Sequence, residues 1–371
     1  MNTKEKIINF VKSEIVLSIA IVATVVTWFF VPIDKEYIGY FDFKTLSCLF
    51  CMLAVVAGLK STNAFEVVSR KLIGLFHTRR AVIYVLVYGT FLFDMIVAND
   101  MSLITFLPLT YIVLHSTQND KYLAFTFIMQ TIADNMGGMI TPYGNPQNLY
   151  LFSYYGIGTA EFFGILLKQA IAVAVLLYIC CAFINNEPLK LKNKGKIKMD
   201  KKTFAMYVAL YWAVILTIFR FIPYQLTLVE VIIIIFVFDK ERFKEVDYAL
   251  IATFCVFFIF SGNIARIPFI KEFISNIVVE NTLFAGIISC QFISNVLTAI
   301  FLSKFTNNYT DLLIAVNIGS LGIIISSLAS LITLKEFLKH QPDKFWKYLG
   351  MFTFFNTMFL SVLLLLTNYF Y

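Results

Sequence analysis

The sequence predicts an all-α polytopic membrane protein of two inverted repeats, each with a re-entrant hairpin and a broken transmembrane helix. This amounts to about nine full spans plus two hairpins. Three observations lead there. Hydrophobic residues make up 59% of the 371 and charged residues only 14%, against roughly 45–50% and about 25% in a soluble domain. Polar knots rich in Asn, Gly and Pro interrupt the apolar runs at corresponding places in the two halves. The Lys and Arg residues fall mostly on one side of the spans. A chain this apolar aggregates in water unless its surface faces lipid, which excludes a soluble enzyme, a nucleic-acid-binding module and a secreted disulfide scaffold. Cys48, Cys51, Cys180, Cys181, Cys255 and Cys290 all lie in apolar runs and read as small buried hydrophobes.

A spanning helix needs about 20 apolar residues. The run over 15–32 is long enough, too long for a signal-peptide core, and followed by no small-residue cleavage site. A second run covers 44–59, and Arg70, Lys71, Arg79 and Arg80 come next. Apolar segments 81–98 and 103–115 flank the knot Asn99-Asp100-Met101-Ser102, a hairpin over 81–116. The run 122–133 stops at Asp134 and resumes only after Asn148, so a broken helix occupies 121–157. A span over 161–184 closes the first repeat, 1–184. The linker 185–202 carries seven lysines and is assigned to the cytoplasm. Residues 203–222 form a connecting span. The second repeat, 223–371, holds spans over 226–238 and 248–261, then a hairpin over 280–305 split at Ser294-Asn295-Val296. A broken helix over 310–337 follows, interrupted at Asn317-Ile318-Gly319-Ser320, and a last span covers 346–366.

Aligning Asn99 with Asn295 sets Ser102 opposite Thr298, and aligning Asn135 with Asn317 sets Gly137 opposite Gly319. Residue identity is low, but the order of features repeats, and paired broken segments are the best sequence pointer to a transport site. With a cytoplasmic N-terminus, 23 of the 30 Lys and Arg lie inside. The other 7 are Lys35, Lys44, Lys168, Arg220, Arg266, Lys271 and Lys304. That asymmetry follows the positive-inside rule, places the C-terminus outside, and makes the two hairpins open to opposite faces. Arg266 falls near the outer mouth, as an attractor of anions or a snorkelling surface residue.

Backbone that leaves helical geometry in a bilayer must have its polar groups satisfied. Gly137, Gly138, Pro142, Gly144 and Pro146 free carbonyls that suit a hard cation. Asn135, Thr141, Asn145, Gln147 and Asn148 add neutral donors and acceptors. An extramembrane loop uses the same turn residues, but the break recurs in the second half. Helices restarting after each knot present free N–H groups and partial positive charge, which suits an anion without a buried Arg. An acid at mid-membrane costs roughly 2.5–3.5 kcal/mol, so Asp94, Asp100 and Asp134 read as functional. Their counterparts are Cys290, Val296 and Val316. We therefore expect a strong cation or proton site at the first hairpin and a weaker, neutral-ligand site at the second. Capping of the helix from Leu103 is the alternative for Asp100.

At Ala98-Asn99-Asp100-Met101-Ser102, the run Asn135 to Asn148, Ser294-Asn295-Val296 and Asn317-Ile318-Gly319-Ser320 the chain resembles the ion transporter superfamily. That group includes citrate transporters, divalent anion–sodium symporters, arsenite permeases and a sodium–proton antiporter branch. The Thr-Pro-x-Gly-Asn-Pro-Gln-Asn run is its most specific part. The tips read Ala-Asn-Asp and Ser-Asn-Val where the dicarboxylate branch has Ser-Asn-Thr. The resemblance implies substrate between the hairpin tips, cations beside each, elevator-like movement and often a homodimer. The substrate-binding candidates are Asn99, Ser102, Asn145, Asn148, Ser294, Asn295, Thr298 and Ser327. Candidates for Na+ or H+ are Asp100, Asp134, Asn135, Gly137, Thr141, Asn295, Asn317 and Gly319, with Asp94 as a coupling candidate.

The leading expectation is a secondary active transporter of a small anion, with carboxylates among the candidates, coupled to Na+ or H+, in the cell membrane. Its partners are a small anionic solute and membrane lipids, with no nucleic acid and no cofactor beyond the coupling ion. Sodium–proton antiport and arsenite or antimonite permeation are alternatives. An intramembrane aspartyl enzyme is the alternative of another class, since HExxH is absent and no His stands near Gly319-Ser320.

Overall fold

The lipid-facing stripe of the longest straight helices shows how this composition is used. In the helix Thr159–Ala182, Phe162, Leu166, Gln169, Val173 and Leu177 are buried, while Leu167, Ile171, Val175 and Tyr178 stand exposed at helical spacing. One face packs on protein and the other is apolar and bare, as a bilayer requires.

A computed structural model describes residues 14–97, 101–189 and 198–370. Asn99 and Asp100 lie outside the described residues, as do most of the linker lysines. Among the described residues there are helices and no strand. In chain order they are α1 (Ile15–Thr27), α2 (Phe43–Ser61), α3 (Ala64–Ile73), α4 (Arg79–Ile96), α5 (Met101–Ser116) and α6 (Leu123–Gly137). Then come α7 (Pro146–Tyr154), α8 (Thr159–Ala182), α9 (Lys201–Ile218), α10 (Tyr224–Phe238), α11 (Tyr248–Arg266) and α12 (Pro268–Glu280). The chain ends with α13 (Thr282–Ile293), α14 (Asn295–Leu302), α15 (Tyr309–Ile318), α16 (Leu328–His340) and α17 (Phe345–Phe370). By length and composition, α2, α8, α9, α11 and the segment Pro342–Tyr369, which takes in nearly all of α17, can each cross a membrane alone. The chain is thus an all-helical, multi-pass membrane protein.

Helix starts follow capping chemistry. Asp42, Asp200 and Asp247 each accept a backbone N–H in the first turn of α2, α9 and α11, which satisfies donors that have no partner within the helix. The Thr203 hydroxyl also donates to Asp200 and, with that backbone N–H, holds its carboxyl below the usual range.

The helix α8, 24 residues long and therefore about 36 Å, separates two ends of the molecule. At its C-terminal end Arg80 Nε donates to Ile184 O (2.6 Å), and Arg79 pairs with Glu187, whose carboxyl it holds below the usual range. Arg79 also bonds Tyr122 Oη (3.3 Å), just before α6. The base of the α4–α5 pair therefore closes at this end. Gly89 and Phe93 of α4 lie against the Phe106 ring of α5, so the two helices run back along each other. Tyr111 of α5 stacks on His340 of α16 at 3.5 Å between ring centres, which brings the end of α16 here too.

At the other end Glu161, in the first turn of α8, accepts from Tyr309 Oη (2.6 Å) at the start of α15. Tyr155, just beyond α7, donates to the carbonyls of Thr306 (2.7 Å) and Ser303 (3.3 Å). Thr282 and Thr306 hydroxyls meet at 3.2 Å and close the base of α13–α14, whose turn is Ser294 with φ 69°. Arg220 Nη1 and Nη2 cap the carbonyls of Phe152, Gly156 and Ile157 at the end of α7. Arg266 is neither a mouth residue free for anions nor a lipid-facing one. It bonds Asp34 and Tyr40 and lies 3.3 Å from Glu36, clamping segment 34–40 onto the end of α11.

Candidate functional site

Two helices are broken inside the molecule, and polar side chains fill both breaks. The first lies between α6 and α7. After Gly137 the chain makes one tight turn over Gly138–Ile140, extends at Thr141, and restarts at Pro146. Proline suits the first helical position, where no donor is needed. Asn148, fully buried, donates its amide to the carbonyls of Gly138 (3.2 Å), Met139 (3.2 Å) and Thr141 (3.3 Å). Those are carbonyls that the interrupted helix leaves open. Thr141 Oγ1 in turn donates to Met95 O (3.1 Å), tying the break to α4.

Gly138 is a close-approach position. A Cβ there would collide with the carboxylate of Asp94 and the amide of Asn145. Asp94, fully buried on α4, therefore lies directly against the break. Gly137 is pressed against the Phe91 carbonyl in the same way. Asp134, buried one turn before the break, accepts a hydrogen bond from Ser102 Oγ on α5. Ser102, expected at the substrate, and Asp134, expected at the cation, thus touch each other.

The second break lies between α15 and α16. Ser320 Oγ donates to Asn317 O (2.6 Å), and Ser326 Oγ donates to Ser320 O (2.6 Å). Ser327 begins α16, where its Oγ accepts from Ser330 N (3.2 Å). The same oxygen accepts from Asn135 Nδ2 of α6 (3.1 Å). Asn317 Nδ2 donates to Asn148 Oδ1 (2.8 Å) and to Leu313 O (2.8 Å). Among the described residues the two broken helices are therefore joined by Asn148–Asn317, by Asn135–Ser327 and by the hydroxyls of Thr131 and Thr333 (2.8 Å).

The structure gathers Asp94, Ser102, Asp134, Asn135, Gly137, Asn145 and Asn148 around the first break, and Asn317 and Ser327 meet them from the second. Gly319 sits at the second break against Cys290, and Thr298 faces the Cys290 thiol from α14. Ser294 and Asn295 form the turn of the second hairpin. There the Asn295 side chain accepts from its neighbour Val296 N (3.0 Å).

Two polar residues escaped the sequence reading. Gln291 donates to the carbonyls of Gly319 (2.9 Å) and Leu321 (3.1 Å), and its Oε1 accepts from Ile323 N (3.0 Å). It does for the second break what Asn148 does for the first, but from α13 rather than from the restarting helix. Gly322, with φ 119°, leaves room for the Gln291 amide. Gln130 on α6 bonds Thr110 (3.0 Å) and Thr90 (3.1 Å), one on each helix of the first hairpin. The available signal was a lone amide in an otherwise apolar run.

Cys48 and Cys51 are free and buried in α2, and among the described residues no group of His, Cys, Asp or Glu is arranged to hold a metal ion.

Comparison with known proteins agrees with this architecture. The citrate transporter family model matches residues 7–326. A protein of Methanocaldococcus jannaschii described as an uncharacterized transporter is 28% identical over 299 residues, covering 79% of this chain and 81% of its own. The inner membrane protein YbiR of Escherichia coli is 26% identical over 325 residues, 86% of each chain. The family is one of transporters and not of enzymes, which removes the intramembrane aspartyl enzyme. A multi-pass helical chain with two joined helix breaks, matched over most of its length, is a membrane transporter, and it belongs to the citrate transporter family.

Proposed function

We propose that this chain is a secondary active transporter of a small carboxylate, of which citrate is the first to test, driven by Na+ or H+ through elevator-type alternating access. One observation carries the reading. Two helix breaks meet through Asn148 and Asn317, and two buried acids, Asp94 and Asp134, border the first of them. Breaks of this kind supply what an anion and a cation need side by side. Helix starts at Asn145 and Ser327 offer N–H groups, while the interrupted ends of α6 and α15 offer carbonyls. Among the described residues, Asp94 and Asp134 stand at the first break, which favours it as the stronger cation or proton site, with Asn135, Gly137 and Thr141 around it. Asn317 and Gly319 form the neutral counterpart, and Asn99, Asp100, Ser294, Asn295 and Thr298 complete the set at the hairpin tips.

The inverted-repeat reading, 1–184 against 223–371 across the linker and the span 203–222, has its own support. The first hairpin closes at the end that carries Arg79, Arg80 and Lys121, and the second at the end that carries Tyr155 and Thr306. The helices α6 and α15 approach their breaks from opposite ends. Asn145 and Ser327 also stand at equal sequence distance from Asn135 and Asn317. The end with Arg79 and Arg80 is cytoplasmic under the positive-inside rule, which orients the N-terminus inside and the C-terminus outside. Assembly as a homodimer belongs to the same proposal through the family resemblance.

The experiment is uptake of labelled citrate by proteoliposomes under an imposed Na+ or H+ gradient. Expected is gradient-driven accumulation that Asp134→Asn abolishes. Absence of gradient-driven flux of citrate, succinate and other small carboxylates refutes the proposal, and pH-dependent Na+ flux without any carboxylate would establish antiport instead.

A further inference from the structure

Beyond the helix breaks, the molecule has a cavity lined by two lysines that the transport reading does not use. It measures about 350 Å³ and opens at the end of α7 away from Asn148, a size within the range of small-molecule pockets. Lys44 of α2 and Lys304, just after α14, both line it, together with Ser153 and Tyr154 of α7, Tyr40 and Asp42. Both lysines are half-buried. Among the described residues neither forms an ion pair; Lys304 Nζ lies over the Tyr154 ring, 4.8 Å from its centre.

Asp42 is the acid in the cavity, and it already accepts from Thr45 N (3.0 Å) and Thr45 Oγ1 (2.6 Å) as the cap of α2. Two ammonium groups thus face one carboxylate, with Ser153 and Tyr40 alongside. Ammonium groups gathered at a half-buried opening without matching acids repel one another, and a bound anion removes that penalty. Tyr150 is the lining residue of α7 nearest Asn148 in sequence, and a step of two residues turns it about 200° to the opposite face of the helix, so the two places are distinct.

We infer that this cavity is a separate outer binding site for a small carboxylate anion, held between Lys44 and Lys304. The anion bridges α2 to the base of the second hairpin. The choice of a carboxylate rests on the proposed function; the site itself rests on the cavity and its charges.

The test is protection of the two amines. Purified protein in detergent is acylated with a charged N-hydroxysuccinimide ester, with and without citrate at constant ionic strength, and each lysine is quantified by mass spectrometry. Citrate slows labelling of Lys44 and Lys304 at least fivefold, while exposed Lys35 on the same face is unaffected. In Lys44→Gln, half-protection of Lys304 needs about tenfold more citrate, the value of a charge-assisted hydrogen bond. In Asp42→Asn, which keeps a capping side chain, it needs about threefold less. Protection persists in Asp134→Asn, so failure of the transport proposal and failure of this one are read separately. Equal protection of Lys35, no protection at all, or no change in Lys44→Gln overturns the inference. Protection by phosphatidylglycerol vesicles that citrate does not displace overturns it in favour of a lipid headgroup.

Discussion

Replacing Asn148 by alanine tests the account of the first helix break most directly. The side chain is fully buried, its amide serves the carbonyls of Gly138, Met139 and Thr141, and its oxygen takes one N–H of Asn317. Two amide hydrogens shared among three acceptors count as two hydrogen bonds, and Asn317 supplies a third. Leaving such buried partners unsatisfied costs about 1–3 kcal/mol each. A total of about 3 kcal/mol is therefore a lower bound before water enters the space. On the scale of domains of about 150–250 residues, about 2–4 °C per kcal/mol, that corresponds to a fall of about 6 °C or more in Tm. The measurement is thermal unfolding of detergent-purified protein, with Asn148→Ala, Asn317→Ala and the double variant compared. Because the two side chains share one hydrogen bond, the double variant should fall short of the sum of the singles by about 1 kcal/mol. An Asn148→Ala protein within 1 °C of the parent, or strict additivity of the pair, would refute the stapling argument.

Three further outcomes are expected. Gly138→Ala drives a methyl group into the Asp94 carboxylate and the Asn145 amide, and overpacking of this kind costs about 1–3 kcal/mol; a Tm equal to the parent's counts against the close approach. Arg220→Lys trades a planar fork on three carbonyls at the end of α7 for a single point charge, and should lower thermal stability by about 1 kcal/mol, a loss that Arg220→Ala exceeds. Asp34 has its carboxyl held below the usual range by the Arg266 guanidinium that donates to it. Its contribution is fully present above the unfolded carboxylate value near 3.9 and is lost as pH falls through the lowered native value. Stability of the parent should therefore drop further between pH 5 and pH 3 than that of Asp34→Asn, and parallel pH profiles would contradict the pairing.

Much of this molecule was legible without coordinates, and the reason is solvent. A bilayer demands long apolar runs and punishes every unsatisfied backbone group, so the runs announce the helices and the few polar knots announce where the helices break. The knots predict breaks at 134–148 and at 317–320, and the helices stop at Gly137 and Ile318 and restart at Pro146 and Leu328; the acids Asp94 and Asp134 stand out in the same way. Pairings were not legible. That Ser102 donates to Asp134, that Asn135 reaches Ser327, and that Asn148 reaches Asn317 depends on how α5, α6, α7, α15 and α16 pack. An amide looks the same in sequence whatever it bonds.

Gln291 and Arg266 make the same point from both sides. Gln291 carries no mark in the sequence beyond being polar in an apolar run, yet it satisfies the backbone of the second break. Arg266 looked like a charge at a mouth, yet Asp34, Glu36 and Tyr40 already surround it. Composition and periodicity by themselves determined that the chain is helical, membrane-embedded and broken at polar knots, because those properties follow from the solvent that each segment meets. Which carbonyl each amide satisfies, and which charges remain turned toward a cavity at Lys44 and Lys304, only the tertiary structure decided, because hydrogen bonds and charges act across distances that sequence separation does not encode.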